Sequence, residues 1–153
     1  MRALELRIPP PLVALSVMGL MWLAARLLPQ LQFALPGREI IAAGLGSLGF
    51  VVAAFGLLSF WMARTTINPH KPGETSAMVV GGVYRFTRNP MYLGIFVALL
   101  GWAVFIANAA SFLLAPLFVL YINCFQIVPE ERALAAIFGP EYSAYAARVR
   151  RWL

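Results

Sequence analysis

The fold is decided by residues 89–129, which read NPMYLGIFVALLGWAVFIANAASFLLAPLFVLYINCFQIVP. These 41 consecutive residues contain no charged side chain. A membrane-spanning helix needs about 20 apolar residues, so the run is long enough for two helices. Asn108 and Ser111, near its middle, favour a turn that divides it. The sequence therefore predicts two membrane helices, at approximately 91–107 and 110–128.

Two more apolar stretches precede this run, at approximately 9–28 and 40–63. The first contains Arg26, whose long side chain can reach the interface from within a helix. A cleaved signal peptide is an alternative for this stretch, but its apolar part is too long and no small-x-small cleavage site follows. The chain is 61% hydrophobic and 12% charged, whereas soluble domains carry roughly 25% charged residues. We therefore predict one polytopic all-α integral membrane domain over residues 1–153, with four transmembrane helices.

The distribution of basic residues predicts the orientation of these helices. Twelve basic residues oppose six acidic ones, which gives a net charge of +6. If both termini and the 64–90 connection are cytoplasmic, ten of the twelve basic residues lie on the cytoplasmic side, and only Arg26 and Arg38 do not. The positive-inside rule favours that arrangement and explains the basic excess without nucleic acid.

The second apolar stretch contains a glycine pattern with two interpretations. Residues 44–49 read GLGSLG and match the G-x-G-x-x-G dinucleotide fingerprint. That fingerprint requires a preceding strand and a water-facing helix start, and neither is expected inside a membrane helix. The pattern instead predicts close helix packing. The small residues that recur on one helix face are Ala42, Gly46, Gly49, Ala53 and Gly56.

The polar segments at 64–90 and after Glu130 are the expected location of the function, so we assign the catalytic and cofactor half to residues 64–153. Pro90 can start a helix and Asn89 can cap it. With Arg88, Tyr84 and Tyr92 nearby, this helix start could hold a polar ligand.

A second polar group follows the fourth apolar stretch. Asn123, Gln126 and Glu130 recur at three- and four-residue intervals and would share a helix face if the helix continues through Pro129 with a kink. Interhelical hydrogen bonds, or stabilisation of a helix start by Glu130, would explain them equally. The tail beyond them predicts an amphipathic helix along the membrane surface, with its basic end toward anionic lipid.

No metal site is expected, because His70 and Cys124 are the only histidine and cysteine. His70 is interpreted as a loop histidine near lipid headgroups.

Two sequence blocks carry a family resemblance. Residues 82–94 read GVYRFTRNPMYLG, and the pair Glu130–Glu131 is followed by FGPEYSAY at 138–145. Together they resemble the isoprenylcysteine carboxyl methyltransferase family and its phospholipid methyltransferase relatives, over about residues 64–152.

The resemblance implies a pocket for S-adenosylmethionine that faces the cytoplasm. We interpret Arg88 and Glu130 as the charged catalytic organisers, with Glu131 and His70 as secondary candidates. The cofactor-binding residues that the resemblance implies are Ser76, Ala77, Met78, Val79, Tyr84, Asn89, Pro90, Met91, Tyr92 and Glu130.

Two positions depart from the eukaryotic members of that family. Asn89 stands where they have a histidine, and an asparagine side chain does not titrate near neutral pH. Gln126 stands where they have an arginine associated with the substrate carboxylate. The resemblance therefore does not imply that this chain recognises a prenylcysteine carboxylate.

The sequence thus predicts a membrane methyltransferase that acts on an amphipathic, lipid-like or prenylated small acceptor at the cytoplasmic face. Membrane lipids are the expected partners, nucleic acid is not, and the oligomeric state is left open. A small four-helix transporter and a non-catalytic membrane assembly subunit are the alternatives. A transporter needs a carboxylate within an early helix, which the first apolar stretch lacks.

Overall fold

The structure is a computed structural model that describes residues 5–63 and 78–153, and every regular element in those ranges is a helix. Extended pairing there is limited to a single bridge between Gln32 and Asn108. The all-α prediction is therefore confirmed for the described residues. The α-helices are α1 (Pro10–Leu27), α2 (Arg38–Met62), α3 (Pro90–Ile106), α4 (Ala109–Ile122), α5 (Val128–Phe138) and α6 (Pro140–Arg148). Short 3-10 turns lie at Pro29–Leu31 and Gly82–Arg85, and a π-helical segment lies at Asn123–Ile127.

Three helical segments are long and apolar enough to cross a membrane: Pro10–Leu27, Arg38–Met62 and Ala109–Phe138. The fourth apolar helix, α3, has 17 residues, which corresponds to about 25 Å at 1.5 Å per residue. Its crossing of the membrane stays a prediction. The last segment does not end near residue 128 as the sequence predicted, because α4, the π-helical segment and α5 form one continuous run of 30 residues.

The π-helical segment explains how that run continues past Pro129. Proline has no backbone N–H, so the carbonyl of Phe125 receives no α-helical hydrogen bond from position 129. The backbone N–H of Leu6 donates to this carbonyl instead, at 2.9 Å. One residue further on, the Gln126 side chain donates from Nε2 to the carbonyl of Ile8 at 2.8 Å. The segment before α1 is thereby fixed to the junction between α4 and α5.

Helices α2 and α3 approach each other so closely that Gly49 of α2 and the α3 glycines Gly94 and Gly101 have no room for a side chain. A Cβ atom at Gly94 would lie 2.7 Å from the backbone nitrogen of Ala53, and one at Gly101 would lie 3.0 Å from the carbonyl oxygen of Ala42. The predicted stripe of small residues is confirmed as a packing surface, since its remaining members also adjoin α3 at this contact. The remaining members are Gly46, Gly49 and Gly56.

The turn between α3 and α4 lies where the sequence predicted it. Ala107 adopts a left-handed conformation, and the Asn108 side chain caps α4 by accepting a hydrogen bond from the Ala110 N–H at 2.9 Å. Asn108 also donates from Nδ2 to the carbonyl of Leu28, at the end of α1, at 2.9 Å. This buried amide therefore joins three helix ends.

The core lies among α1, α3 and α4, and the outer faces of the helices are apolar. The most deeply buried core side chains are Met21, Leu99, Phe118, Ile122 and Ile127. Large apolar side chains also cover the outside, with Ile40 80% exposed and Trp61 78% exposed. A surface of that kind is suited to lipid contact, because a soluble monomer rarely carries large continuous apolar patches.

Candidate functional site between α3 and α5

The centre of the site is a hydrogen bond between the starts of α3 and α5. Tyr92 lies in the first turn of α3, and its hydroxyl donates to Oε1 of Glu130 at 2.6 Å. Glu130 lies in the first turn of α5. The pair joins residues 38 positions apart, and a short hydrogen bond to a carboxylate is among the stronger kinds in proteins. The two residues that the resemblance implies for the cofactor are therefore in direct contact, and their role in binding it stays a prediction.

Tyr84 lies next to this pair. Gly82 begins the 3-10 turn with a left-handed φ of 59°, which glycine adopts without strain, and the turn buries the Tyr84 ring. The ring meets Phe60 of α2 edge to face, with a centroid distance of 5.6 Å. Burial raises the pKa of the Tyr84 hydroxyl, and the nearby Tyr145 and Glu130 raise it further. Tyr84 therefore presents a neutral phenol beside the carboxylate.

Glu131 is held by two arginines on the other side of the site. Arg88 contacts it through Nη2 at 3.0 Å. Arg151 contacts both of its oxygens, through Nη2 at 2.6 Å and through Nε at 3.0 Å. These hydrogen bonds raise the pKa of the Arg151 guanidinium. Glu131 therefore acts as an anchor for two cations and is not free to bind a ligand.

Arg88 retains one unused donor in this arrangement. Its side chain is 15% exposed, and its Nε atom is buried without a hydrogen-bond partner among residues 5–63 and 78–153. A buried donor of this kind is costly unless it is satisfied, so it is suited to an anionic ligand.

Asn89 occupies the N-cap position of α3, but its side chain makes no capping hydrogen bond. Its Nδ2 donates to the carbonyl of Arg151 at 2.9 Å, and the Thr87 hydroxyl donates to the same carbonyl at 3.2 Å. The backbone N–H of Arg88 donates to the carbonyl of Arg150 at 3.0 Å. The prediction that the Asn89 side chain caps α3 is therefore wrong, because the side chain bonds to a distant segment of the chain and its oxygen accepts no hydrogen bond from the first turn of α3.

That segment, residues 149–153, packs into the site. The Trp152 ring meets Phe96 of α3 edge to face, with a centroid distance of 6.3 Å. Its Nε1 donates to Oδ1 of Asn123 in the π-helical segment at 3.2 Å. The expectation that the basic end of the tail faces lipid is wrong for Arg151, because its guanidinium group is bound to the Glu131 carboxylate.

The polar stripe on the fourth apolar segment is confirmed, because each of its members has a partner. Asn123 accepts from Trp152, Gln126 donates to the N-terminal segment, and Glu130 accepts from Tyr92. The two amides bond to the non-helical segments before α1 and after α6, so the interhelical hydrogen bonds that the sequence offered as an alternative are not the ones formed.

The remaining residues implied by the resemblance have different positions. Pro90 and Met91 face α2, where a Cβ atom at Gly56 would lie within 3.1 Å of both side chains. Met78 and Val79 are half-buried and lie outside regular secondary structure. Ser76, Ala77 and His70 lie outside the described residues. Sequence reasoning missed Thr87, Arg151 and Trp152, and no periodicity in the sequence indicates their contacts.

Together, the membrane-length apolar helices and the polar cluster between α3 and α5 indicate a helical membrane protein with a candidate ligand site. The phospholipid methyltransferase family model matches residues 39–141, which is well over half of the chain. The chain therefore belongs to this family. No solved structure matches it.

Three relatives resemble parts of the chain. An uncharacterized protein of Haemophilus influenzae is 44% identical over 63 residues, which are 41% of this chain and all of that protein. Protein-S-isoprenylcysteine O-methyltransferase of Schizosaccharomyces pombe is 28% identical over 108 residues, covering 71% of this chain and 46% of the relative. Methanethiol S-methyltransferase 1 of Bradyrhizobium diazoefficiens is 42% identical over 67 residues, covering 44% of this chain and 22% of the relative. The match therefore spans less than half of the two relatives that carry a named activity.

Proposed function

We propose that the chain is a membrane methyltransferase that uses S-adenosylmethionine and methylates an amphipathic or lipid-like acceptor at the cytoplasmic face. The single observation that carries the proposal is the 2.6 Å hydrogen bond between Tyr92 and Glu130. It brings an aromatic ring and a carboxylate together at the meeting point of two helices. Membership of the phospholipid methyltransferase family supports the same reaction.

The residues around this pair fit the cofactor chemically. The carboxylate of Glu130 is suited to the ammonium group of the cofactor, since charge-assisted hydrogen bonds are the strong ones. The faces of Tyr84 and Tyr92 are suited to a sulfonium cation. The buried Nε of Arg88, which lacks a partner among the described residues, is suited to the carboxylate of the cofactor.

The chemical demands on the protein in this reaction are modest. The bound cofactor supplies an electrophilic methyl group. The chain contributes orientation and exclusion of water, because a displacement at carbon requires that the donor carbon and the acceptor atom be held in line. Tyr92 fixes the carboxylate of Glu130, while Glu131 fixes Arg88 from the opposite side. A thiolate or carboxylate acceptor would require no proton acceptor from the chain.

The acceptor is proposed to bind mainly through its apolar part. The relatives are named for methylation of an isoprenylcysteine oxygen and of the sulfur of methanethiol. In this chain the Gln126 amide already donates to the Ile8 carbonyl and the Asn89 amide to the Arg151 carbonyl, so each has at most one N–H left for an acceptor carboxylate. The acceptor would therefore enter from the bilayer and meet the cofactor beside Tyr92.

Equilibrium binding of S-adenosylmethionine to the purified full chain in detergent tests the cofactor site. We expect saturable binding by the unaltered chain and at least about tenfold weaker binding by Glu130→Gln, which loses one charged hydrogen-bonding group. Glu141→Gln is the matched control, because Glu141 lies on the exposed side of α6. Absence of saturable binding by the unaltered chain would refute the enzyme and leave a non-catalytic membrane subunit.

Transfer from methyl-labelled cofactor tests the acceptor class. The purified chain is incubated with membrane lipid extract, with a short alkyl thiol and with a prenylcysteine, each in a separate reaction. We expect label in a lipid-like or alkyl product, and a much lower yield with Glu130→Gln. Label only in a water-soluble polar product would contradict the proposed acceptor.

A further inference from the structure

A second groove lies at the end of the helices opposite to the Tyr92–Glu130 pair. It is formed by the end of α1, the start of α2 and the end of α3, and its volume is about 350 Å³. Tyr92 and Phe105 of the groove are 13 residues apart on α3, a distance of about 20 Å along the helix. The side chains that matter for its chemistry are Trp22, Arg26, Gln32, Arg38, Trp102 and Phe105.

The groove contains Arg26 and Arg38, the two basic residues that the predicted topology leaves on the other side of the membrane. The positive-inside rule disfavours basic residues at that side. The orientation of the helices in the membrane therefore does not explain why two arginines lie in one groove. The methyl-transfer site uses neither of them. Their charges therefore call for a separate explanation.

Both guanidinium groups rest on aromatic rings. The Cζ atom of Arg26 lies 5.2 Å from the Trp22 ring centroid, and that of Arg38 lies 6.0 Å from the Phe105 centroid. Such stacking restrains the guanidinium plane while its N–H groups stay available at the edge. Two restrained guanidinium groups in one groove are suited to a phosphate group, which arginine can bind through two parallel hydrogen bonds.

The positive charge of the groove is only slightly compensated. In the described part of the chain Arg26 has no carboxylate partner, and Arg38 contacts only Glu39, at 3.1 Å. The side chain of Glu39 is 64% exposed, and an exposed pair of this kind contributes little binding energy. The neutral amide of Gln32 adds a further hydrogen-bonding group to the lining.

The aromatic lining indicates which phosphate compound is suited to this groove. Trp22 is 50% exposed and Phe105 is 44% exposed, so both rings can contact acyl chains while the arginines contact a headgroup. Tryptophan is enriched at both membrane–water interfaces, and an arginine guanidinium binds a phosphate group through two parallel hydrogen bonds. We propose that this groove binds the phosphate of an acidic phospholipid through Arg26 and Arg38.

Quenching of tryptophan fluorescence by brominated lipid tests the proposal, because Trp22 and Trp102 line the groove. The purified full chain in neutral detergent is titrated with brominated phosphatidylglycerol and, separately, with brominated phosphatidylcholine. We expect preferential quenching by phosphatidylglycerol, and a loss of apparent affinity of about fivefold for each arginine replaced. The variants are Arg26→Gln and Arg38→Gln.

The matched control is Arg148→Gln, an exposed arginine on α6 at the opposite end of the helices, which should retain the preference. Inorganic phosphate is added as a competitor to distinguish a free anion from a lipid. Weak competition at millimolar phosphate supports the lipid, whereas complete competition would overturn it in favour of a small anion. Equal quenching by both lipids, or an unchanged preference in Arg26→Gln, would also overturn the proposal.

The outcome is independent of the methyltransferase assignment. Arg26→Gln is expected to bind S-adenosylmethionine as the unaltered chain does, because the two sites lie at opposite ends of the helices. A negative lipid result with intact cofactor binding would refute only this second site.

Discussion

Replacing Gly94 with alanine tests the helix contact that positions the site. Gly94 lies on the face of α3 that meets α2, two residues after Tyr92. The added Cβ would lie 2.7 Å from the backbone nitrogen of Ala53 and 2.8 Å from its Cβ atom. Carbon atoms in favourable contact are about 3.5–4.0 Å apart, so the two backbones must separate by roughly 1 Å.

The expected cost follows from two opposing effects. Overpacking of a well-packed interface costs about 1–3 kcal/mol, and alanine recovers up to about 1 kcal/mol of helix propensity relative to glycine. The net loss is therefore at most about 2 kcal/mol. For a chain of this size, each kcal/mol shifts the melting temperature by about 2–4 °C. We expect Gly94→Ala to melt up to about 8 °C lower and to bind cofactor more weakly, because Tyr92 moves with α3.

Gly44→Ala is the control on the facing helix. A Cβ atom at Gly44 would meet nothing within 4 Å, so this variant gains helix propensity without a clash and should melt at or above the temperature of the unaltered chain. Thermal unfolding of both variants in the same detergent measures the difference. If Gly94→Ala is as stable as Gly44→Ala, the close approach of α2 and α3 is refuted.

Tyr92→Phe keeps the ring and removes its hydrogen bond, so we expect about tenfold weaker binding of S-adenosylmethionine. Tyr121→Phe should bind as the unaltered chain does, because that hydroxyl has no partner among the described residues, and equal losses in both would contradict the role of Tyr92. Arg151→Ala removes the hydrogen bonds to Glu131 and should lower the free energy of unfolding by about 1–2 kcal/mol and speed proteolysis near residue 149. Arg150→Ala should do neither, because position 150 contributes its backbone carbonyl, which the substitution keeps. Burial raises the pKa of Tyr145 to about 12 from an ordinary value of 10, so its neutral form stabilises the fold fully below pH 10 and this contribution is lost as the pH rises to about 12. Tyr145→Phe should therefore lose less stability than the unaltered chain over that pH range in alkaline unfolding. An identical loss in the two proteins would contradict the raised pKa of Tyr145.

Features encoded by local pattern could be predicted from the sequence. The uncharged run at 89–129, with Asn108 near its middle, was sufficient to place the turn between α3 and α4. The spacing of small residues in α2 indicated which face meets another helix, because residues three or four positions apart lie on the same face of a helix. The family resemblance implied both Tyr92 and Glu130 as cofactor-binding residues, and the structure places their side chains in contact.

Contacts between distant segments could not be predicted in this way. Glu131 could have paired with any of the nearby basic residues, and only the three-dimensional path of the tail selects Arg88 and Arg151. The side chain of Asn89 satisfies the general preference for an N-cap residue, but a tertiary hydrogen bond to the tail replaces the local one. Where the helix continues past Pro129, the Phe125 carbonyl is bonded to the Leu6 N–H, and no local sequence pattern predicts a contact between positions so far apart.

The bond between Leu6 and Phe125 also has a consequence for biogenesis. The segment before α1 is synthesised well before its partner carbonyl, which belongs to the long helical run from α4 to α5. The neighbouring bond between Gln126 and Ile8 joins positions 118 residues apart. Insertion of α1 is therefore not sufficient to form these contacts, which require that the run from α4 to α5 has also been synthesised and inserted.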